Sequence, residues 1–388
     1  MNILSLFGGI ECGRVAIDRL GIPVDKYFSS EIDPYAIKIT RSNCPDIIHI
    51  GSVSDVRYVK DEWRLDWHQE HSILDNIDIV IGGSPCQDLS IAKKNWKGLA
   101  WEKSGLFYEY VRILKEVKPK YFLLENVASM KKSDRDEITR IIGVEPIMIN
   151  SSLVSAQNRK LLYWFGKLNE QWEYETIHIS QPQDKWILLR DILEDIPMDD
   201  KRWKPLDKKY LTDSFFEKIA KWTMSLANIN PTRKAYPVTA TYAWACPRDY
   251  LEKHQRELVI WQFRRWDHLR IHADQENSPT LTSNMGTGWN NVPVILWLAH
   301  RNRWEGKAPE CNMQEKANSM TTVQSDSEVL AYTWDYYWRK LTPTECERLQ
   351  TLPDGYTNHV SDSRRYKAIG NGWTVDVIAH ILSFIPLS

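Results

Sequence analysis

The chain opens on Asn2-Ile3-Leu4-Ser5-Leu6, followed at once by Phe7-Gly8-Gly9-Ile10-Glu11-Cys12-Gly13. The first five residues form a short apolar run typical of a buried strand, and residues 13–20 carry apolar side chains at helical spacing. A strand, a glycine-rich turn and a helix in this order let the backbone approach a nucleotide-like ligand closely. Because the glycines do not form GxGxxG, a smaller adenosyl cofactor is favoured over a dinucleotide, and a dehydrogenase is disfavoured.

Strand-like runs and amphipathic segments continue to alternate over the first 165 residues. The strand-like runs are 2–6, 27–30, 77–81, 121–125, 147–150 and 161–165, and helical segments include 13–20, 34–42 and 106–117. This alternation predicts an α/β fold, with a Rossmann-like, mostly parallel sheet that has helices on both faces. Ligands of such sheets bind beyond the carboxyl ends of the strands, so we expect functional residues directly after strands.

From about residue 170 the chain becomes rich in tryptophan, proline and basic residues. Fifteen Lys and Arg stand against seven Asp and Glu between 201 and 270, although the net charge of the whole chain is −1. We interpret 171–359 as a smaller, irregular β-rich target-recognition domain that binds a polyanion, and 1–170 with 360–388 as the catalytic domain. A solvated basic face without a partner is the alternative.

Two helices are expected near the end of the chain. After Pro343, residues 344–352 are typical of a helix with Thr344 at the N-cap and Glu347 at the N3 position. The apolar segment 375–384 predicts a helix that returns to cover the first domain.

Cys86 lies in the turn Gly82-Gly83-Ser84-Pro85-Cys86-Gln87, directly after a strand. This is a nucleophile's position, and the nearby Lys93 and Lys94 would favour the thiolate. Taken alone, a structural cysteine remains the better interpretation. Glu125 changes that balance because it also ends an apolar strand, where partial desolvation raises a carboxyl pKa and suits the group to donate a proton.

Two further features concern ligands. Glu31 follows a strand about 20 residues after the glycine turn, where an acidic group can bind ribose hydroxyls. The six cysteines form no CxxC pair and no Cys/His metal spacing, so we expect free thiols and no metal.

The chain resembles the C5-cytosine DNA methyltransferase family, whose motifs occur here in the family's order. The matching segments are Phe7-Gly8-Gly9-Ile10, Glu31, Pro85-Cys86-Gln87, Glu125-Asn126-Val127, Gln157-Asn158-Arg159, Leu341-Thr342-Pro343-Thr344-Glu345 and Tyr366-Lys367-Ala368-Ile369-Gly370-Asn371. Residues 97–107 and Trp373 look more like the animal de novo branch. The resemblance implies a DNA (cytosine-5)-methyltransferase that uses S-adenosylmethionine and flips its target base out of the duplex.

The resemblance also assigns roles to residues. Cys86 is expected to add to cytosine C6, Glu125 to bind or protonate N3, and Arg159 to hold the base's O2 or a phosphate. The residues expected to bind the cofactor are Phe7, Gly9, Ile10, Glu31, Ile32, Ser52, Val53, Pro85, Asn371 and Trp373. Those expected to contact DNA are Gln87, Ser90, Lys93, Lys94 and Lys97.

In the β-rich domain, the arginines that are interleaved with aromatic residues are candidate DNA contacts, suited to guanine edges or phosphates. They are Arg264, Arg265 and Arg270. An aromatic core flanked by solvated arginines is the alternative.

Two positions depart from the family pattern. Leu161 stands where a second arginine is usual, which removes a cation from the cytosine pocket unless Arg159 or Lys160 replaces it. Ser52 stands where the family commonly has an aspartate that accepts from the adenine amino group.

Double-stranded DNA is therefore the expected partner, with no membrane association and a cytoplasmic location in a bacterial, archaeal or viral host cell. No nuclease segment is recognisable, so any restriction endonuclease would be a separate protein. Two alternatives stay open: a tRNA (cytosine-5)-methyltransferase, and a catalytically inactive DNA-binding paralogue. The presence of both Cys86 and Glu125 argues against the second.

Overall fold

The structure, a computed structural model, describes most of the chain in two compact units. It leaves out residues 63, 69, 74–75, 85–105, 198, 206, 208–234, 236, 239, 241, 247, 249–252, 254–257, 268–295, 300–326 and 387–388, and gives the backbone alone for 258–267, 296–299 and 327–338. The first unit contains Met1–Asp195, Thr232–Glu257 and Leu341–Ser388, and the second Ile196–Pro231 and Leu258–Lys340.

The first unit has a strand at each of the six predicted runs and, among the described residues, five further strands that were not predicted. The strands are β1 (Asn2–Leu6), β2 (Lys26–Ser30), β3 (Ile48–His49), β4 (Arg57–Val59), β5 (Arg64–Trp67), β6 (Glu70–Ile73), β7 (Ile79–Gly83), β8 (Tyr121–Val127), β9 (Pro146–Asn150), β10 (Lys160–Leu168) and β11 (Tyr174–Thr176). Eight of them form one sheet in the order β11-β10-β8-β7-β1-β2-β3, with β9 paired to β10. The pairs from β8 through β7, β1 and β2 to β3 are parallel, whereas those of β10 are antiparallel. The mostly parallel sheet is thus confirmed.

Helices cover both faces of this sheet, as predicted. They are α1 (Cys12–Arg19), α2 (Pro34–Asn43), α3 (Leu106–Val117), α4 (Lys132–Ile142), α5 (Leu189–Ile192), α6 (Pro343–Leu349), α7 (Asp362–Asn371) and α8 (Val375–Leu382). Because strand side chains alternate between faces, Ile79 and Ile81 cluster with α1 and α8, while Val80 clusters with α3 and α4. Each fully buried side chain of this kind contributes about 1.5 to 3 kcal/mol.

The helix expected after Pro343 begins two residues earlier than predicted. Thr342 is the N-cap: its hydroxyl accepts from the Glu345 amide (3.1 Å), and the Glu345 carboxylate accepts from the Thr342 amide (2.8 Å). The sequence holds two overlapping Thr-x-x-Glu pairs, and Pro343 selects the first because proline suits the first helical position. Thr344 and Glu347 are therefore not the cap. The helix predicted at 375–384 is confirmed as α8, which packs on the large sheet.

A small antiparallel sheet of β4, β5 and β6 follows a short 3-10 turn, Val53–Asp55, in the first unit. These strands have only three or four residues each, which is too few for an alternating pattern to predict them from the sequence. Of the helices that the structure describes, none is long and apolar enough to cross a membrane.

The second unit contains a small antiparallel sheet. Its strands are β12 (Lys204–Pro205), β13 (Leu258–Asp267), β14 (Leu296–Ala299) and β15 (Ser327–Lys340). β15 pairs with each of the other three. Segments 171–195, 232–257 and 341–359, which the sequence analysis assigned to the target-recognition domain, lie in the first unit. The DNA-binding role of 171–359 stays a prediction.

Candidate active site

A cavity of about 260 Å³ lies where β1, β2, β7 and β8 end, within the first unit. Its volume is close to the lower end of small-molecule sites, roughly 300 Å³. Eight residues expected at the site line it: Phe7, Gly9, Ile10, Glu31, Glu125, Arg159, Asn371 and Trp373. The expectation that functional residues follow strand ends therefore agrees with the cavity's place in the sheet.

The glycine turn after β1 forms one wall of the cavity. Phe7 has φ 58° and Gly9 has φ 59°, and no atom lies within 4 Å of the point where a Cβ on Gly9 would stand. The turn at Gly8 is tighter, since a Cβ there would lie 1.7 Å from Oε1 of Glu11. Glu11 is buried behind the turn and accepts from the Tyr27 hydroxyl at 2.7 Å, and its burial raises the pKa of its carboxyl group.

Glu31 is fixed by the backbone around it. Its carboxylate accepts from the amides of Gly9 (2.8 Å), Ile32 (2.7 Å) and Asp33 (2.7 Å). These bonds join the turn after β1 to the end of β2. The next side chain, Ile32, is 74% exposed. A fixed carboxylate beside an exposed apolar side chain suits a ribose with an attached aromatic base.

Ser52 and Val53 are described but do not line the cavity. The Ser52 hydroxyl accepts from the Ser54 amide (3.3 Å) and so caps the 3-10 turn, while Val53 is buried. Their segment is tied to the end of β2 because the Ser30 hydroxyl donates to the Gly51 carbonyl at 2.9 Å. Ser52 therefore follows the residue, Gly51, that is hydrogen-bonded to the last residue of β2, and Glu31 comes directly after that strand.

Glu125 is the buried acid of the site. Burial raises the pKa of its carboxyl group, while the nearby Arg159 guanidinium and the Trp373 indole act in the opposite direction, with the net shift upward. The Trp373 Nε1–H donates to Oε2 of Glu125 at 3.1 Å, and Arg159 donates from Nη1 to the Gly370 carbonyl at 3.2 Å. The raised pKa shifts the protonation equilibrium of Glu125 toward the neutral form, which can donate a hydrogen bond.

Asn126, which the sequence analysis quoted but did not assign to the site, links this acid to the segment before Cys86. Its side-chain amide donates to the Ser84 hydroxyl at 3.2 Å and is fully buried. In the parallel pairing of β7 with β8, Gly83 is the register partner of Glu125. Cys86 lies three residues after Gly83 in the sequence.

Several predicted site residues lie outside the described residues. They are Pro85, Cys86, Gln87, Ser90, Lys93, Lys94, Lys97 and Arg270. Arg264 and Arg265 are described by their backbone, in β13, where they pair with Trp334 and Thr333 of β15. Their roles stay predictions.

The departure at Leu161 has a structural basis. Leu161 is 2% exposed and belongs to the apolar cluster between the sheet and α1 and α8, so this position supplies no cation to the cavity. Lys160 is exposed and does not line the cavity either. Arg159 is therefore the cation that this segment contributes.

Four charged or aromatic lining residues were missed by the sequence analysis. The Lys367 amine lies 2.6 Å from the Asp33 carboxylate, and the Arg364 guanidinium lies 4.1 Å from the centre of the Tyr35 ring. These pairs join α2 to α7, more than 300 residues apart in the sequence. Lys367 lies in the quoted motif at residues 366–371, but no local signal could have identified the pairing of these residues across the chain. Within the described part of the chain, no cluster of three or more His, Cys, Asp or Glu could hold a metal ion.

Comparison with known proteins identifies the family. The family of C-5 cytosine-specific DNA methylases matches residues 1–386. The chain is 25% identical to the orphan methyltransferase M.SPRI of Bacillus phage SPR, over 98% of this chain and 96% of that protein. It is 26% identical to the type II methyltransferase M.HgiCI of Herpetosiphon aurantiacus, over 98% and 97%.

Solved structures share the fold. The Dnmt2 methyltransferase of S. pombe matches with a TM-score of 0.54 at 16% identity, covering 99% of this chain and 97% of that one. The methyltransferase EhMeth of Entamoeba histolytica matches with a TM-score of 0.55 at 15% identity, covering 100% and 99%. The similar curated proteins are those of bacteria and phages, so the suggested likeness to the animal de novo branch is not supported.

Proposed function

The chain belongs to the C-5 cytosine-specific DNA methylase family, and on that premise we propose that it is a DNA (cytosine-5)-methyltransferase that works through a covalent cysteine adduct. The observation that carries the proposal is the pairing of Gly83 with Glu125 at the cavity. It brings the segment that leads into Cys86 alongside a buried acid.

S-adenosylmethionine is the methyl donor of this family, and we propose that the cavity binds it. Phe7, Gly9 and Ile10 would lie along the cofactor, Glu31 would accept from its ribose, and Ile32 would cover its adenine. The support is in the chain itself: the Glu31 carboxylate is held by three amides, and the neighbouring Ile32, although it does not line the cavity, has an exposed apolar side chain. When bound, the cofactor supplies an electrophilic methyl group on a sulfonium.

The protein's part of the reaction is to make cytosine C5 nucleophilic. The Cys86 thiolate adds to C6, and the neutral Glu125 donates its proton to N3. The electrons of the ring's 5,6 double bond then form a double bond between C4 and C5, which makes an enamine with a nucleophilic C5. Arg159 would bind the base's O2 or a neighbouring phosphate. Methylation of C5 would break the methyl–sulfur bond of the donor and leave a neutral thioether. Loss of the C5 proton to water, return of the N3 proton to Glu125 and departure of the Cys86 thiolate then restore the 5,6 double bond.

This chemistry needs the target base outside the duplex, because C5 and C6 are not accessible within the stack. The second unit, with β13 and β15, is proposed to bind the duplex, and Arg264, Arg265 and Arg270 are its proposed contacts. The basic stretch 201–270 supports this assignment.

The test is methyl transfer from radiolabelled S-adenosylmethionine to duplex DNA and, separately, to tRNA, with wild type and Cys86→Ser. Wild type should label DNA at 5-methylcytosine and form a covalent complex with duplexes that contain 5-fluorocytosine. Cys86→Ser should do neither but should still bind DNA, because an alcohol ionises far less than a thiol.

Other outcomes would replace the proposal. Labelling of tRNA alone would identify an RNA methyltransferase with the same chemistry. DNA binding with no transfer to either substrate would identify an inactive paralogue, and near-normal turnover by Cys86→Ser would reject the nucleophile.

A further inference from the structure

We infer that Trp373 is a positioning residue for the acid: its indole N–H keeps Oε2 of Glu125 as a hydrogen-bond acceptor, so that the proton of the neutral carboxyl group lies on Oε1. The inference rests on the proposed function, because it requires Glu125 to donate to the target base.

The chemistry of the contact favours one arrangement. An indole nitrogen donates a hydrogen bond and cannot accept one. The Trp373 Nε1 lies 3.1 Å from Oε2 of Glu125. In a neutral carboxyl group the carbonyl oxygen is a better acceptor than the hydroxyl oxygen, so the oxygen that faces the indole is preferentially the carbonyl oxygen. The proton then lies on Oε1, and the donor of the site has a preferred position before any base arrives.

Gly83 makes room for the indole ring. A Cβ on Gly83 would lie 3.0 Å from Nε1 and 3.2 Å from Cζ2 of Trp373, whereas a Cβ on Gly13 would be in ordinary van der Waals contact with Cζ3, at 3.5 Å. The ring therefore occupies a narrow space between β7 and α1. Side chains packed this closely have little rotamer freedom, so the indole N–H keeps its direction.

The backbone on either side of the ring is also fixed. Gln350 is fully buried and donates to the carbonyl of Gly372 at 3.2 Å. The Thr374 hydroxyl is bonded to the Gln350 side-chain oxygen at 2.8 Å and to the Ser151 hydroxyl at 2.9 Å. Residues 372–374 are thus anchored by a buried polar network, which is costly to disrupt.

The groups that face Glu125 set its protonation. Burial raises the pKa of Glu125, and the Arg159 guanidinium and the Trp373 N–H partly offset the rise because both favour the carboxylate. Tyr163, its register partner on β10, is buried, and its hydroxyl has no hydrogen-bond partner among the described residues. Removing the indole N–H should therefore raise the pKa of Glu125 further.

Trp373→Phe tests the inference because it removes the N–H and keeps an aromatic ring. At low pH we expect the single-turnover rate constant for methyl transfer to fall about tenfold, because the variant loses one hydrogen bond to the acid. The alkaline limb of the pH–rate profile, where Glu125 loses its proton, should move to higher pH. Trp164→Phe is the matched control: it removes a buried indole bond to Thr139 (3.0 Å) on the other face of the sheet. It should leave that limb in place.

A second readout does not depend on activity. In NMR spectra of the ¹⁵N-labelled chain without cofactor, the Trp373 indole N–H signal is identified as the one that is absent from Trp373→Phe. Its chemical shift should change with pH as Glu125 titrates, and this change should disappear in Glu125→Gln. A signal that does not titrate, or that titrates equally in Glu125→Gln, would overturn the inference.

The two proposals fail separately. If wild type transfers methyl groups and Glu125→Gln loses the alkaline limb, yet Trp373→Phe leaves that limb unmoved, the positioning role is rejected and the function stands. If wild type transfers no methyl group to DNA or tRNA, the proposed function fails, while the spectra still test the contact itself.

Discussion

A Cβ on Gly83 would lie 2.7 Å from Oε2 of Glu125, so the carboxyl group can occupy its position only above a glycine. The Glu125 side chain is flexible and can move away from an added methyl group, so the backbone around it does not have to shift. We therefore expect Gly83→Ala to displace the acid rather than unfold the protein. Methyl transfer should fall by tenfold or more, since a shift of about 1 Å in a catalytic group can cost on the order of 100-fold.

The control for Gly83→Ala is Gly143→Ala, at the end of α4. Gly143 has φ 84° and open space around the point where a Cβ would stand. A side chain in this left-handed conformation costs about 1 to 2 kcal/mol. Gly143→Ala should lower the free energy of unfolding in urea and leave the turnover number unchanged. If Gly83→Ala behaves in the same way, its effect is structural.

Asn126→Ala should slow formation of the covalent adduct. The change leaves the buried Ser84 hydroxyl without the Asn126 amide that donates to it, and Ser84 begins the segment that leads to Cys86. We expect slower trapping of 5-fluorocytosine DNA in gel assays, together with a loss of about 1 to 3 kcal/mol in stability.

Asn43→Ala separates these two effects. Its side chain donates to the carbonyls of Ile39 and Tyr356, both at 2.8 Å and away from Ser84. A similar loss of stability with normal trapping would confirm that Asn126 acts on the nucleophile segment. Equal slowing in both variants would contradict it.

Ser52→Asp should tighten S-adenosylmethionine binding several-fold. A hydrogen bond to a charged acceptor exceeds one to a neutral acceptor by about 1 kcal/mol or somewhat more, or around tenfold in Kd. Aspartate also serves as an N-cap, so the turn that Ser52 caps should be kept. The rate of the chemical step should not change, because the adenine contact is the same in the ground and transition states.

Asp55→Asn is the comparison for Ser52→Asp in calorimetric titrations. Asp55 lies 3.7 Å from the imidazole of His68, whose ring stands beside Gly51. If Asp55 already accepts from the adenine, Asp55→Asn will weaken binding and Ser52→Asp will not tighten it. That pair of results would reject the interpretation of Ser52.

Replacing Arg264 and Arg265 together with alanine should weaken duplex binding. Each lost phosphate contact reduces the slope of log K against log salt concentration by about 0.9. Arg140→Ala, on the exposed surface of α4, is the control and should leave the slope unchanged. Unchanged affinity, slope and target site in the double variant would remove β13 from the proposed interface.

Local sequence patterns were sufficient to predict the large sheet and its helices. Buried parallel strands are continuous apolar runs and amphipathic helices repeat every 3.6 residues, so both signals are local. Residues 121–125 and 106–117 were predicted in this way and lie within β8 and α3. Family motifs then predicted eight of the positions that line the cavity. The local signal failed at the cap before α6, where two Thr-x-x-Glu pairs overlap.

The contacts that complete the site depend on how distant segments pack in the folded chain. Trp373 lies 248 residues from Glu125, and its indole reaches the acid because α8, which follows it, packs on the same face of the sheet as α1. The burial of Leu161, the pairing of Lys367 with Asp33 and the Asn126 bond to Ser84 have the same origin. Sequence patterns report which face of an element is apolar. Which polar atoms then meet depends on how those faces pack together, and that is a property of the folded chain.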